Sequence, residues 1–249
     1  MQGVFFDLFG TLLVYTNSRK AWEDWLSVLY NNFMEFGYSK TKESFAISCN
    51  GIMNKPEPNY SHLNLTIFEQ RIYGLSLEIG IELNENEIRR ISQEAVNAWQ
   101  KYVPLDPDTI PVLNTLKKTK TLALISNFDH PPHIYSILSN HKLNHFFDSI
   151  IISSEVGVKK PDPSIFSFAL KETNLKPNDA CYIGDTTDDV TAAIKAKLLP
   201  ILIKRKIDTE DELLYDYTTE KSSLNTNMLD KRTKDVKVIR NLKELIDFV

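Results

Sequence analysis

Apolar and polar positions change their rhythm twice along this chain. The first apolar run, Val4-Phe5-Phe6, ends on Asp7 and a Gly10-Thr11 turn, the pattern of a short buried strand. From about Tyr15 to Tyr102 the period becomes helical. Trp22, Trp25, Leu26, Leu29, Tyr30, Phe33 and Phe36 recur at three- and four-residue steps, which puts them on one core-facing stripe. The polar run Asn54-Lys55-Pro56-Glu57-Pro58-Asn59 interrupts that pattern. Two further amphipathic helices follow, one carrying Ile67, Phe68, Ile72, Leu75 and Ile79, the other Ile88, Ile91, Ala95 and Trp99.

Beyond Pro104 short apolar strands alternate with helical segments. Thr121 to Ser126, Ser149 to Ser153, Ala180 to Gly184 and Leu199 to Ile203 are the strand candidates, with Val236 to Ile239 as a last one. Alternation of this kind predicts a parallel sheet covered by helices. Asp162 and Pro163 predict a capped helix start, and Asn241 is expected to cap a last helix through Leu242, Leu245, Ile246 and Val249. The expected organisation is a discontinuous α/β domain, residues 1–14 and 103–249, split by an all-helical domain at 15–102. The polar stretch from Lys204 to Lys237 exceeds most connections in compact domains and reads as a flap, a local insertion or disorder.

Composition narrows the function more by exclusion than by assignment. The chain has 249 residues, 42% of them hydrophobic, and a formal net charge of −4 with acids and bases interspersed. That balance offers no electrostatic footprint for nucleic acid or an anionic membrane. Cys49 and Cys181 are too few and too far apart for a disulfide framework or a thiolate metal site. No basic leader precedes the first strand and no apolar run reaches membrane-span length, so a cytoplasmic protein is expected. Asn64-Leu65-Thr66 is read as a chance match to a glycosylation acceptor.

Four polar motifs fall at or just after the apolar strands. They are Asp7 with Gly10-Thr11, Ser126-Asn127-Phe128-Asp129, Gly157-Val158-Lys159-Lys160-Pro161, and Gly184-Asp185-Thr186-Thr187-Asp188-Asp189. Each alone is ordinary turn or cap chemistry. Their order and shared strand-end setting matter, because open parallel sheets bind ligands beyond the carboxyl ends of their strands.

With these motifs the chain resembles the haloacid dehalogenase superfamily, in the branch whose helical cap is inserted after the first motif. The most specific stretches are Phe6-Asp7-Leu8-Phe9-Gly10-Thr11-Leu12, Ser153 through Pro163, and Tyr182-Ile183-Gly184-Asp185. The resemblance implies a Rossmann-like parallel core and a Mg²⁺-dependent hydrolase acting on a small phosphorylated metabolite. It also implies that Asp7 is the nucleophile and that Ser126 and Lys160, with Gly10, Thr11 and Asn127, hold the transferred group. Mg²⁺ would be bound by Asp7, the main-chain carbonyl of Phe9 and Asp185. Asp189, or its neighbour Asp188, would be the family's further acid, with Asp189 counted in the metal site and bonded to a metal-bound water or to Lys160. The cap is expected to close over the strand ends and to supply substrate contacts. A monomer or weak homodimer is expected, with no nucleic-acid or membrane partner.

Phe9 departs from that pattern. The family's phosphatases commonly carry a second Asp two residues after the nucleophile, and a positioned acid contributes about 10²- to 10⁴-fold. Three readings follow. The enzyme is a phosphatase whose acid is His62, Tyr15 or Asp129, or whose leaving group needs little protonation. It is instead a 2-haloacid dehalogenase, whose first motif tolerates an aromatic residue there and for which Arg19 is a carboxylate-binding candidate. Or the fold survives as a binding or regulatory module of low turnover.

Overall fold

The computed structural model describes residues 1–205 and 236–249, so most of the polar stretch expected at 204–237 lies outside the described residues. The described chain forms two compact units, residues 1–15, 104–205 and 236–249 in one and residues 16–103 in the other.

The first unit is built on a six-stranded sheet in which every pairing is parallel: β1 (Gly3–Phe6), β2 (Thr121–Ser126), β3 (Ser149–Ile152), β4 (Ala180–Gly184), β5 (Leu199–Ile203) and β6 (Lys237–Ile239). Their spatial order is β3-β2-β1-β4-β5-β6. The central strands are apolar on both faces, as burial between two helix layers requires, and Val4, Phe5 and Phe6 are fully buried. One face packs Phe5, Ile125, Ile151 and Tyr182 with Ile165, Phe166, Ala169 and Leu198. Each large side chain so buried stabilises the fold by about 1.5–3 kcal/mol before entropy is counted. The order reverses between β1 and β4: successive strands run outward from β1 through β2 to β3, then resume at β4 and proceed the other way. A reversal of this kind opens a crevice at the strand ends.

Two expectations are corrected in this unit. Asp162 does not cap a helix: its carboxylate accepts from the Ser164 amide (2.9 Å) and hydroxyl (2.7 Å), and the helix begins beyond that turn, at Ile165–Thr173. The last segment is one 3₁₀ turn, Leu242–Leu245, rather than a longer helix, although Asn241 does cap it by accepting from the Glu244 amide. With Leu242 and Leu245 buried and Ile246 exposed, the apolar positions are too few to bury a full helical face.

The second unit contains α1 (Ser18–Glu35), α2 (Lys42–Cys49), α3 (Ile67–Glu78) and α4 (Glu85–Gln100). Thr66 and Glu69 form a capping box at α3, and Asn84 and Glu87 form another at α4, so the first amide donors of both helices are satisfied locally. Helix α1 packs on α4, burying Trp25, Leu26, Leu29 and Phe33 with Ile88, Ile91 and Ala95. The predicted stripe is narrower than its sequence period: Trp22, Tyr30 and Phe36 are only half-buried at its margins. The polar break before α3 is tied down by buried Arg71, which donates to the carbonyls of Ile52 (2.9 Å) and Lys55 (2.8 Å).

Candidate active site

The register brings the sequence motifs to one end of the sheet. Phe6 pairs with Leu124 on one side and Ile183 on the other, and the Asp7 amide donates to the Ile183 carbonyl at 2.8 Å. Asp7 therefore emerges between the end of β2, which carries Ser126, and the end of β4, which carries Gly184-Asp185. Asp7, Asp185 and Asp189 each present a carboxylate oxygen, and these oxygens lie within 4.8 Å of one another. Asp189, not Asp188, joins this cluster because it is the third residue after Thr186, the cap of the helix Thr187–Ala196. It bonds back to the Thr186 amide (2.9 Å) and hydroxyl (2.6 Å).

Lys160 neutralises the inner part of this cluster. Its ammonium donates to Asp7 Oδ1 at 2.6 Å and to the Tyr182 hydroxyl at 2.7 Å, lies 2.8 Å from Asp189 Oδ1, and approaches the Ile125 carbonyl at 3.2 Å. All of these groups are nearly inaccessible to water, and a buried ammonium persists only with such a complete oxygen shell. Burial opposes the charge on Lys160, but the fields of Asp189 and Asp7 outweigh it and raise the pKa, so the side chain stays cationic. Asp189 is also penalised by burial, yet Lys160 and the Thr186 hydrogen bonds hold its pKa below the ordinary carboxylate value. The balance at Asp7 goes the other way: burial pushes its carboxyl up to about 7 against the pull of Lys160, with Asp189 adding to the rise. The shared cation therefore holds charge more firmly on Asp189 than on Asp7, which takes up a proton more readily.

Around Asp7 the small residues have steric reasons. Gly10 has φ +82°, and a Cβ there would stand 2.0 Å from Asp185 Oδ2, while one on Gly184 would stand 2.3 Å from Asp189 Cγ. The two glycines thus make room for two carboxylates. Ser126 Oγ and Thr11 Oγ1 are buried without a hydrogen-bond partner, which is costly unless a ligand supplies one. Asn127 is used differently: its amide donates to the Lys160 carbonyl and accepts from the Lys160 amide, both at 2.9 Å. Its part is to hold the lysine loop. Phe9 is half-buried and stacks on Phe128 at 4.9 Å, and Phe128 in turn stacks on buried His133 at 5.9 Å. Aromatic surface therefore occupies the position of the missing second acid.

Of the substitute acids considered from sequence, His62 is exposed, as is Arg19, and Asp129 is half-buried. Tyr15 is half-buried beside the acids: burial pushes its phenol up, and Asp185 and Asp7 add to the rise. A phenol so shifted stays protonated and releases its proton reluctantly. Three residues with a part in the geometry were missed by sequence reasoning: Tyr182, Arg205 and Asp106. Tyr182 alternates correctly for a core strand, and only its tip is polar; the guanidinium of Arg205 donates to Asp106 and to the carbonyls of Gly10 and Thr11 from a region with no periodic signal.

The donor set suits a small, hard cation, which takes carboxylate and carbonyl oxygens in preference to nitrogen or sulfur. Residues 1–197 match the family model of haloacid dehalogenase-like hydrolases, and the chain belongs to that family. It is 35% identical over 107 residues to a glyceraldehyde 3-phosphate phosphatase of Methanopyrus kandleri, covering 42% of this chain and 45% of that protein. The chain thus spans about half the length of this curated relative in the match. Among solved structures it resembles a 2-haloacid dehalogenase from Pseudomonas syringae pv. Tomato (TM-score 0.65, 20% identity, 99% and 97% of the two chains covered). An HAD phosphatase from Thermococcus onnurineus is similar to the same degree (TM-score 0.64, 20% identity, 99% and 97% covered). Among the described residues no helix is long and apolar enough to cross a membrane.

Proposed function

We propose that this hydrolase is a Mg²⁺-dependent phosphatase of small phosphorylated metabolites, with Asp7 as the nucleophile. The observation that carries the reading is the buried pair of Asp7 and Lys160 set among Asp185 and Asp189, with the unpartnered Ser126 hydroxyl at the adjacent strand end. Similarity to a protein named as a phosphatase of a triose phosphate supports it. Asp7 and Asp185, with the Phe9 carbonyl, would hold Mg²⁺; Asp189 is committed to Lys160 and Thr186. When bound, the cation would screen the phosphoryl charge from the attacking carboxylate.

In the first step an Asp7 oxygen forms a bond to phosphorus as the bond to the leaving oxygen breaks, giving an aspartyl-phosphate. Lys160 neutralises the equatorial oxygens, and Ser126 donates one hydrogen bond to them. Water then attacks the phosphorus, releasing inorganic phosphate and restoring the Asp7 carboxylate. Asn127 keeps the Lys160 backbone in register throughout. Phe9 has no proton to give, so the departing oxygen leaves as an anion or takes its proton from water. Acyl phosphates, whose leaving group is a weak base, should accordingly be turned over better than alkyl phosphates.

The stacked Phe9 and Phe128 favour one second reading, a 2-haloacid dehalogenase, because halide leaves without a proton. A substrate panel with and without Mg²⁺ separates the two. Mg²⁺-dependent release of phosphate from acetyl phosphate is expected; metal-independent release of halide from 2-haloacids, with no phosphatase activity, would overturn the phosphatase. A reducing compartment such as the cytoplasm suits the two buried free thiols, and a small molecule rather than a polyanion is the proposed partner.

A further inference from the structure

The turn after Asp7 is held by a side chain from far along the chain. We infer that Arg205, fixed by Asp106, is a positioning residue that clamps the Gly10-Thr11 turn against Asp185 and so sets the acid cluster for cation binding; the inference rests on the phosphatase reading. Leu8 accepts from the amides of Leu12 and Leu13, both at 2.9 Å, which closes the turn on itself. The Gly10, Thr11 and Leu12 carbonyls take their donors from distant parts of the chain. Arg205 Nε donates to Gly10 O at 3.2 Å and Nη2 to Thr11 O at 2.5 Å, while Leu12 O accepts from the Asp106 amide at 3.0 Å and the Thr109 hydroxyl at 2.8 Å.

The guanidinium is itself oriented. Nη1 donates to Asp106 Oδ2, and Asp106 Oδ1 accepts from the Asp108 amide at 2.7 Å. The side chains of Arg205 and Asp106 are only 19% and 6% exposed, so this is a shielded, charge-assisted contact rather than a surface ion pair. Only a rigid planar fork reaches two successive carbonyls and a carboxylate at once, and a lysine ammonium would reach them poorly. The consequence passes through Gly10. Because its Cα packs so closely on Asp185 that a Cβ would stand 2.0 Å from the carboxylate, a shift of the turn shifts the surface against which Asp185 rests. Arg205 lies beyond the stretch 1–197 that matches the family model, directly after β5.

The test compares the full-length wild type with Arg205→Lys, Arg205→Gln and Asp106→Asn, each first checked for folding by circular dichroism. Mg²⁺ binding without substrate is measured by isothermal titration calorimetry, and kcat and KM with acetyl phosphate. Loss of an outer residue of this kind is expected to weaken Mg²⁺ binding and lower kcat about 10- to 100-fold, with KM nearly unchanged. In Arg205→Ala, millimolar guanidinium should restore part of kcat where methylammonium does not. Wild-type Mg²⁺ affinity and kcat in folded Arg205→Lys and Arg205→Gln would overturn the clamp. If the wild type itself neither binds Mg²⁺ nor releases phosphate, the phosphatase reading fails. The clamp is then decided by amide exchange at Leu12 and Leu13: faster exchange in Arg205→Gln supports it, and unchanged exchange overturns it.

Discussion

The two units put most of their buried polarity to different use, although the helical one also buries Asn32 Oδ1 and Ser92 Oγ without a partner. In the helical unit polar groups mostly finish the backbone: Thr66 and Glu69, or Asn84 and Glu87, cap helices, and Arg71 closes a loop through two carbonyls. Around Asp7 polar groups are instead concentrated under protein cover, with one ammonium shared between two buried carboxylates and two hydroxyls without partners. The first arrangement lowers free energy wherever it occurs. The second is costly to assemble and is retained where chemistry needs it. Substitution of Asp7 should therefore separate activity from stability, while substitutions in the helical unit should affect mainly stability.

The largest effect is expected from Asp7→Asn, which should lower phosphate release on the order of 10⁴-fold or more while leaving the melting temperature nearly unchanged. The Asn keeps the shape and removes a carboxyl that burial already disfavours; parallel loss of folding and activity would break the contrast. Lys160→Met should abolish turnover and also cost about 3–5 kcal/mol, because Asp189 would be left charged and buried, as urea unfolding would register. In the helical unit Phe33→Ala should cost a similar ~3–5 kcal/mol through the cavity it opens beside Phe45, whose ring lies 5.3 Å away.

His133 gives a smaller, pH-linked effect. Burial first, and His130 second, lower its pKa from 6.5 to about 4. The unfolded chain therefore takes up a proton before the folded one does as pH falls, so this contribution is complete above about 6.5 and is lost on descending towards 4. It amounts to about 3 kcal/mol at most, and thermal melts at pH 7 and pH 5 should show a smaller decline in His133→Gln than in the wild type. The smallest effect is expected at Thr66→Ala, about 1 kcal/mol from the lost cap, measured by chemical denaturation. A markedly larger loss there would mean that the helical unit also depends on one polar contact.

Local pattern made much of this legible. Val4-Phe5-Phe6-Asp7 and Tyr182-Ile183-Gly184-Asp185 are apolar runs ending in an acid, and a strand long enough to cross the core must release that acid at its end. The Asn241 cap was equally readable, because a cap and its partner lie three residues apart. Asp162 was misread because the same side chain serves a turn as readily as a helix start. Asn127 was ambiguous until both ends of its amide were seen on the Lys160 backbone. Arg205 was invisible: its bond to Gly10 joins residues 195 positions apart, and no period encodes that.

By itself, then, the sequence determined the order of strands and helices, the acids at the strand ends and the aromatic residue at position 9, since all of these follow from periods of two to four residues. Tertiary structure alone decided that Asp189 rather than Asp188 joins the cluster, that Lys160 stays charged, that Phe9 lies against Phe128, and that Arg205 grips the turn after Asp7. Those outcomes depend on burial and on distances between separate elements, which exist only once the sheet has set its register.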